Sequence, residues 1–250
     1  MLARVDAARL SRLLASLRDP ALRSRRAAEV LGGLPAAEAI ALLGELARRA
    51  RRKTDPASAA LEGALRGCHL HLAPEQLAAL RAAAELAEEP ELRALFSSAA
   101  SPRAFDHDRE VWVDRAMRAQ PLGTRKQLAR GRDRDALARL ASDPDPSVLR
   151  VLLENPLVTE REVLVAASRR PTRAALLEEI FRSARWSQNR RVRRALALNP
   201  YSPPALAATS LALLTAPDLR EVAGDATLAA EVRLQARLLL FEQRRAGEGK

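Results

Sequence analysis

The chain predicts an all-α protein, an α-solenoid built from short antiparallel helix pairs. Three observations carry that expectation. First, 48% of the 250 residues are apolar but only 3% are aromatic. The apolar share is mostly Ala and Leu, so a core must come from many small helix-to-helix contacts, with few large rings. Ala, Leu, Arg and Glu also favour helices, whereas the β-formers Val, Ile, Thr and Tyr are few. Second, amphipathic stretches are punctuated by Asp-Pro and similar pairs. Pro costs no hydrogen bond in the first helical turn, and an Asp before it can cap the helix. Third, residues 140–170 (LASDPDPSVLRVLLENPLVTEREVLVAASRR) read as two short helices joined at Asn155-Pro156, and residues 192–214 (VRRALALNPYSPPALAATSLALL) echo them at Asn199-Pro200.

In chain order, residues 3–18 predict a first helix with Val5, Leu10, Leu13, Leu14 and Leu17 on one stripe. Asp19-Pro20 starts a second helix that ends at Gly32-Gly33. Pro35 starts a third, carrying Ile40, Leu42, Leu43 and Leu46 and ending among Arg48, Arg49, Arg51, Arg52 and Lys53. Cations at a helix C-terminus are favoured by its dipole. Asp55-Pro56 opens a fourth helix to near Arg66, Pro74 a fifth to near Ala87, and Glu89-Pro90 a sixth over 91–98. Each pair takes about 35–45 residues, a helical-repeat length.

Residues 1–98 thus form an N-terminal set of helical repeats. Residues 99–108 (AASPRAFDHD) lack periodicity and predict a linker or a break in the stack. Residues 109–245 form a more regular C-terminal set. Helices are expected over 109–120, after a capping Thr124, over 133–142, 148–154, 160–168, 173–183, 192–198, 204–214, 218–223 and 228–245, with a frayed tail at 246–250. Val148 and Val192, Asn155 and Asn199, Pro156 and Pro200, and Thr159 and Pro203 all stand 44 positions apart. The residue before Pro is pushed out of the helical region, so each Asn must end its helix. Asn also tolerates turn conformations and can bond nearby backbone.

At these residues the chain resembles bacterial leucine-rich repeat variant proteins. Their units pair short helices around a V-R-x-x-x-A-x-N-P-x-T-P-x-x-L core, which DPDPSVLRVLLENPLVTEREVLVAA and VRRALALNPYSPPALAATSLALL approach. The resemblance covers roughly residues 124–240 and fits best at 148–168 and 192–214; residues 1–98 match a generic helical repeat. It implies a HEAT-like α-solenoid that serves as a scaffold or binding surface, with no catalytic residues and no cofactor to carry over. The full expectation is a single right-handed α-solenoid of HEAT-like antiparallel helix pairs.

The formal charge is +11, with a sequence pI near 11.2, which points to acidic partners. Residues 1–100 hold 15 basic and 12 acidic side chains, residues 101–195 hold 21 and 13, and residues 196–250 hold 6 of each, so the excess is central. Arg182, Arg185, Arg190, Arg191, Arg193 and Arg194 fall within 13 residues that contain no acid and include Trp186. Arg125 and Lys126 lead a second cluster with Arg130, Arg132 and Arg134. In a solenoid, equivalent positions of successive units line one face, so the clusters are expected to join into a stripe.

Other chemistry is less well supported. Cys68, His69 and His71 do not match a structural zinc spacing, and no oriented acid or oxyanion loop accompanies Cys68 as a nucleophile. Trp112, Asp114 and Trp186 suggest a distant third reading, a HEAT-like alkylpurine DNA glycosylase, in which rings stack on a base and the carboxylate steadies a developing cation. A single Cys excludes an internal disulfide framework and fits a reducing, cytoplasmic compartment. No apolar run approaches the ~20 residues that span a bilayer, and Arg interrupts any signal-peptide core at the N-terminus.

The expectation is therefore a non-enzymatic cytoplasmic scaffold without cofactor or metal. It binds an acidic protein partner through Arg182, Arg185, Trp186, Arg190, Arg191, Arg193 and Arg194, with Arg125 and Lys126 as second choice. The alternative is sequence-nonspecific nucleic-acid binding through phosphates. Neither membrane insertion nor a particular oligomeric state is predicted.

Overall fold

A computed structural model describes residues 6–51, 57–87, 90–106, 114–212 and 214–248. These residues are all-α: they form sixteen helices and no strand. The first six are α1 (Ala7–Ser16), α2 (Pro20–Gly32), α3 (Ala36–Arg51), α4 (Ala57–His71), α5 (Pro74–Leu86) and α6 (Pro90–Leu95). Asp19 caps α2 before Pro20 as expected, whereas of the first helix expected over 3–18, α1 covers Ala7–Ser16, because Asp6 caps it by accepting from the Arg9 N–H and Leu17 ends it. Helix α4 runs past Arg66 to His71 because Gly63 and Gly67 turn a bare backbone toward α2. A Cβ on Gly67 would lie 2.3 Å from the Ser24 carbonyl oxygen. This close approach makes α4 the centre of the N-terminal half, with α1, α2 and α3 packed on it.

Residues 99–106 carry no helix. The Arg103 N–H donates to the Pro200 carbonyl at 3.1 Å, and the Arg173 guanidinium sits 5.2 Å from the centre of the Phe105 ring. Of the helix expected over 109–120, residues 109–113, including Trp112, lie outside the described residues; α7 (Arg115–Arg118) follows Asp114.

The remaining helices are α8 (Leu122–Arg130), α9 (Arg134–Leu140), α10 (Pro146–Glu154), α11 (Glu160–Ser168), α12 (Ala174–Arg182), α13 (Arg190–Ala197), α14 (Pro204–Leu211), α15 (Ala216–Gly224) and α16 (Ala230–Glu248). Helix α8 begins at Leu122, two residues before Thr124; Pro121, with extended backbone, is its N-cap, and the Pro121 carbonyl accepts from the Arg125 N–H. Helix α10 packs on α8 and α12, α11 packs on α13, and α14 packs on α16. Even-numbered helices from α8 begin at 122, 146, 174, 204 and 230, and odd-numbered ones from α9 at 134, 160, 190 and 216. One helix pair therefore takes 24–30 residues in this half, where α8 to α15 are only seven to nine residues long. In the N-terminal half, for which 35–45 was expected, alternate helices start 29–38 residues apart.

The 44-residue offset is not this unit. Asn155 ends α10 and Asn199 ends α13, three helices further on and in the other row. What the two share is a bonding role. Asn155 Nδ2 donates to the carbonyls of Ala129 and Gly131 at the end of α8 (2.8 and 2.9 Å), while its Oδ1 accepts from the Leu157 N–H. Asn199 Nδ2 donates to the carbonyls of Ala167 and Arg169 at the end of α11 (2.8 and 3.1 Å), and its Oδ1 accepts from the Tyr201 N–H. Terminal helix carbonyls have no partner within their own helix, so each buried Asn completes the end of the helix one pair earlier in its own row.

The two halves fold onto each other. Helix α6 packs on α14 and α16, α3 on α16, and α4 on α14. Ala208 of α14 belongs to the N-terminal core, alongside Leu43, Leu46, Leu65 and Leu92. A buried ion pair lies at the same junction: Arg193 of α13 reaches Glu62 of α4 at 3.0 Å, with both side chains nearly inaccessible. Arg66 next to it donates to the Arg182 carbonyl.

Candidate functional site

The thirteen-residue arginine cluster contains no acid in sequence, but the fold supplies one from another helix to Arg190, Arg191, Arg193 and Arg194. Arg182 pairs with Glu178 and Glu179 on its own helix. Arg190 grips Asp218 of α15 through Nε and Nη2 (2.8 and 3.3 Å), and Arg194 reaches Asp218 and Glu221. Arg191 pairs with Glu160 of α11, which Asn189 also holds. Arg193 is committed to Glu62 and is buried, so it takes no part in any exposed face.

Trp186 is also internal. Its ring is buried, its Nε1–H donates to the Leu153 carbonyl at 3.1 Å, and the Arg185 guanidinium lies 4.4 Å above it. Arg185 in turn donates to the carbonyls of Asn155 and Val158 (3.1 and 2.9 Å). These two residues clamp the α10–α11 turn from the following unit, which is the physical reason that Trp186 is not a free aromatic contact.

The second cluster divides in the same way. Arg125 is buried and donates Nη1 to both oxygens of Asp143, whose Oδ1 also accepts from the Asp145 N–H. Lys126 is half-buried. Arg134 donates to the Leu157 carbonyl. The clusters therefore meet at the 155–158 turn through Arg134 and Arg185, both bonded to main-chain oxygens there.

Arg182 and Arg185 stay exposed beside Arg150 and Glu179, and a separate solvent-open cleft of about 480 Å³ lies between α11, α13 and α15. Arg170, Arg190, Arg191 and Arg194 line it together with Asp218, above a floor of Leu164 and Leu198. The side chains of Arg190 and Arg191 are 58% and 73% exposed, so their remaining N–H groups stay accessible. With Glu160 and Glu221 at its edge, four arginines face three carboxylates. Arg190 and then the Thr215 hydroxyl push the Asp218 carboxyl down to about 2, and Asn189 and Arg191 hold Glu160 below its ordinary value. Both acids are thus fully ionised at neutral pH. Asp218 doubles as the N3 residue of the α15 capping box, accepting from Thr215 N–H and Oγ1.

Arg170 is the lining arginine absent from the expected site, and Asp218 the lining acid. Arg170 stands 20 positions before Arg190 and joins the cleft because α11 packs on α13, where its guanidinium donates to the Leu198 carbonyl. The Thr-x-x-Glu and Thr-x-x-Asp spacings at 159–162 and 215–218 are the sequence signals that could have marked these helix starts, but they do not say that Glu160 and Asp218 would meet Arg191 and Arg190.

The remaining candidates are dispersed. Cys68 is buried in the N-terminal core, and burial pushes its thiol up to about 12. His69 lies against Phe96 and Phe181 and within 3.2 Å of Thr209 Oγ1, and burial pulls it down to about 4. His71 approaches Ser24 Oγ at 3.2 Å. Asp114 caps α7 through the Met117 N–H and pairs with Arg139, whose hydrogen bonds bring its carboxyl down to about 2. Among the described residues no group of three potential metal ligands forms, and no helix is long and apolar enough to cross a membrane. No family model, curated protein or solved structure matches the chain.

Proposed function

We propose that the chain is a non-enzymatic cytoplasmic scaffold, a HEAT-like helical repeat allied to the leucine-rich repeat variants, that takes an acidic protein partner in the α11–α13–α15 cleft. The observation that carries this reading is the convergence of Arg170, Arg190, Arg191 and Arg194 on one solvent-open concavity. Internal pairing does not exhaust these groups. A guanidinium has five N–H donors; Arg190 uses two nitrogens on Asp218 and Arg191 one on Glu160. A partner carboxylate can therefore add to the network without displacing it, and Arg geometry favours bidentate capture of such a group. The repeat assignment draws support from the matched bonding roles of Asn155 and Asn199.

The test is a titration with a fluorescein-labelled Glu-rich peptide at low salt. Binding should weaken as salt rises and fall by roughly tenfold or more in Arg170→Glu/Arg191→Glu, with the helical circular dichroism unchanged. Equal binding by that variant sinks the cleft as the site. Duplex DNA serves as the competing arm: tighter binding than the peptide, with a steep salt slope lost in the same variant, would favour phosphate recognition instead.

A further inference from the structure

The α11–α13–α15 cleft has a charged rim but an apolar floor. Leu164 of α11 and Ala195 of α13 are half-buried and line it beside Leu198. Their place follows from helix register. Glu160 and Arg191 pair across these two helices at an offset of 31 residues. Leu164 and Ala195 stand at the same offset, about one turn further along each helix. Ser168, exposed at the end of α11, adds a hydroxyl to the lining.

The charges above this floor nearly balance. Arg170, Arg190, Arg191 and Arg194 face Asp218, with Glu160 and Glu221 at the edge. Exposed ion pairs contribute little and weaken as salt rises. Carboxylates alone therefore give a partner little affinity in this cleft and less selectivity. Apolar contact is not screened, and covering the floor and the methylene stems of the arginines adds affinity with the area covered. The cleft, about 480 Å³, is of a size at which concave sites take ligands.

We propose that the cleft recognises an acidic segment with one aliphatic anchor, a leucine-like side chain flanked by carboxylates. The anchor lies on Leu164, Ala195 and Leu198, and the flanking carboxylates take N–H groups that Arg190 and Arg191 leave open. This rests on the reading of the cleft as the site for an acidic protein and names what that protein presents. An apolar anchor inside a polar rim is where protein interfaces concentrate their binding energy.

The experiment titrates the full chain with two fluorescein-labelled glutamate-rich peptides of equal length and charge. One carries a central Leu and the other a Ser in its place. The Leu peptide should bind roughly tenfold more tightly, the gain from covering about 60 Å² of apolar surface. Both should weaken as salt rises, with their ratio unchanged. Leu164→Ala should remove most of the Leu preference and leave the Ser peptide's affinity as it was. Ala195→Gln, on the same floor, makes this test where Leu164→Ala fails to fold. Arg170→Glu/Arg191→Glu should weaken both peptides together. Equal affinity of the two peptides overturns the proposal but leaves the cleft as a site for acidic partners. A Leu preference that survives the floor variants, or Leu-peptide binding untouched by the arginine variant, also overturns it. Binding of neither peptide removes the reading of the cleft and this proposal with it.

Discussion

Asn155 and Asn199 show how a single side chain can hold an array together. Each ends its own helix and completes the carbonyl end of another, so truncation removes three hydrogen bonds and strands two buried oxygens. Asn199→Ala is expected to cost about 2–3 kcal/mol in urea unfolding, because stranding buried acceptors costs more than the average net hydrogen bond. The sequence revealed that the two Asn-Pro pairs were equivalent, since Pro forces the preceding residue out of the helix. It could not reveal the acceptors, which lie 24 to 32 residues upstream. His69 supplies a second residue-scale prediction. Its folded value of about 4 lies below the ordinary imidazole value near 6.5, so between these pH values the unfolded chain binds more protons. Stability should therefore fall as pH drops through that window, by on the order of 1–2 kcal/mol between pH 7 and 5, and His69→Gln should flatten the step. Denaturant curves at the two pH values measure it directly.

Among the elements, α4 is the clearest case of packing overriding a local stop. Its Gly-x-x-x-Gly spacing, residues 63–67, weakens helix propensity, yet the helix continues because bare backbone there lets α2 approach. Gly67→Ala places a methyl within 2.3 Å of the Ser24 carbonyl oxygen. The backbone cannot yield cheaply, and the expected loss is about 2–3 kcal/mol by thermal denaturation, against a gain of about 1 kcal/mol for an ordinary Gly→Ala change in a helix interior. The odd-numbered row from α11 to α15 shows a related effect for charge. Its arginines and acids lie 27 to 31 positions apart, one helix pair of chain. A window of thirteen residues could not contain both partners, so the local count of cations overstated the free positive charge.

At the scale of the whole molecule, the halves behave as one body through the α3, α4 and α6 contacts on α14 and α16 and the Arg193–Glu62 pair. Removing one member of a buried ion pair leaves the other charge uncompensated, so Glu62→Ala should cost about 3–5 kcal/mol. Arg193 and Arg66 would then both be buried without a carboxylate at the junction. In the unaltered chain, unfolding followed by circular dichroism and by tryptophan fluorescence should coincide, since both tryptophans lie in the C-terminal half but the core crosses the junction. In Glu62→Ala the two midpoints should separate. Distinct midpoints already present in the unaltered chain would show that the halves fold independently.

The amino-acid sequence by itself determined the all-α class, most helix starts and the turns. These depend on Pro geometry, Asp and Thr caps and the spacing of Ala and Leu along a helix, all of which act within a few residues. Tertiary structure alone decided the number of residues in each helix pair, the folding of one half against the other and the fate of the arginines. Each depends on which helices become neighbours, and residues 25 to 140 positions apart meet only when that packing brings them together. Arg193 and Trp186 looked like surface residues beside a free cationic run. The fold buries both, because a carboxylate on α4 and a carbonyl on α10 were waiting for them.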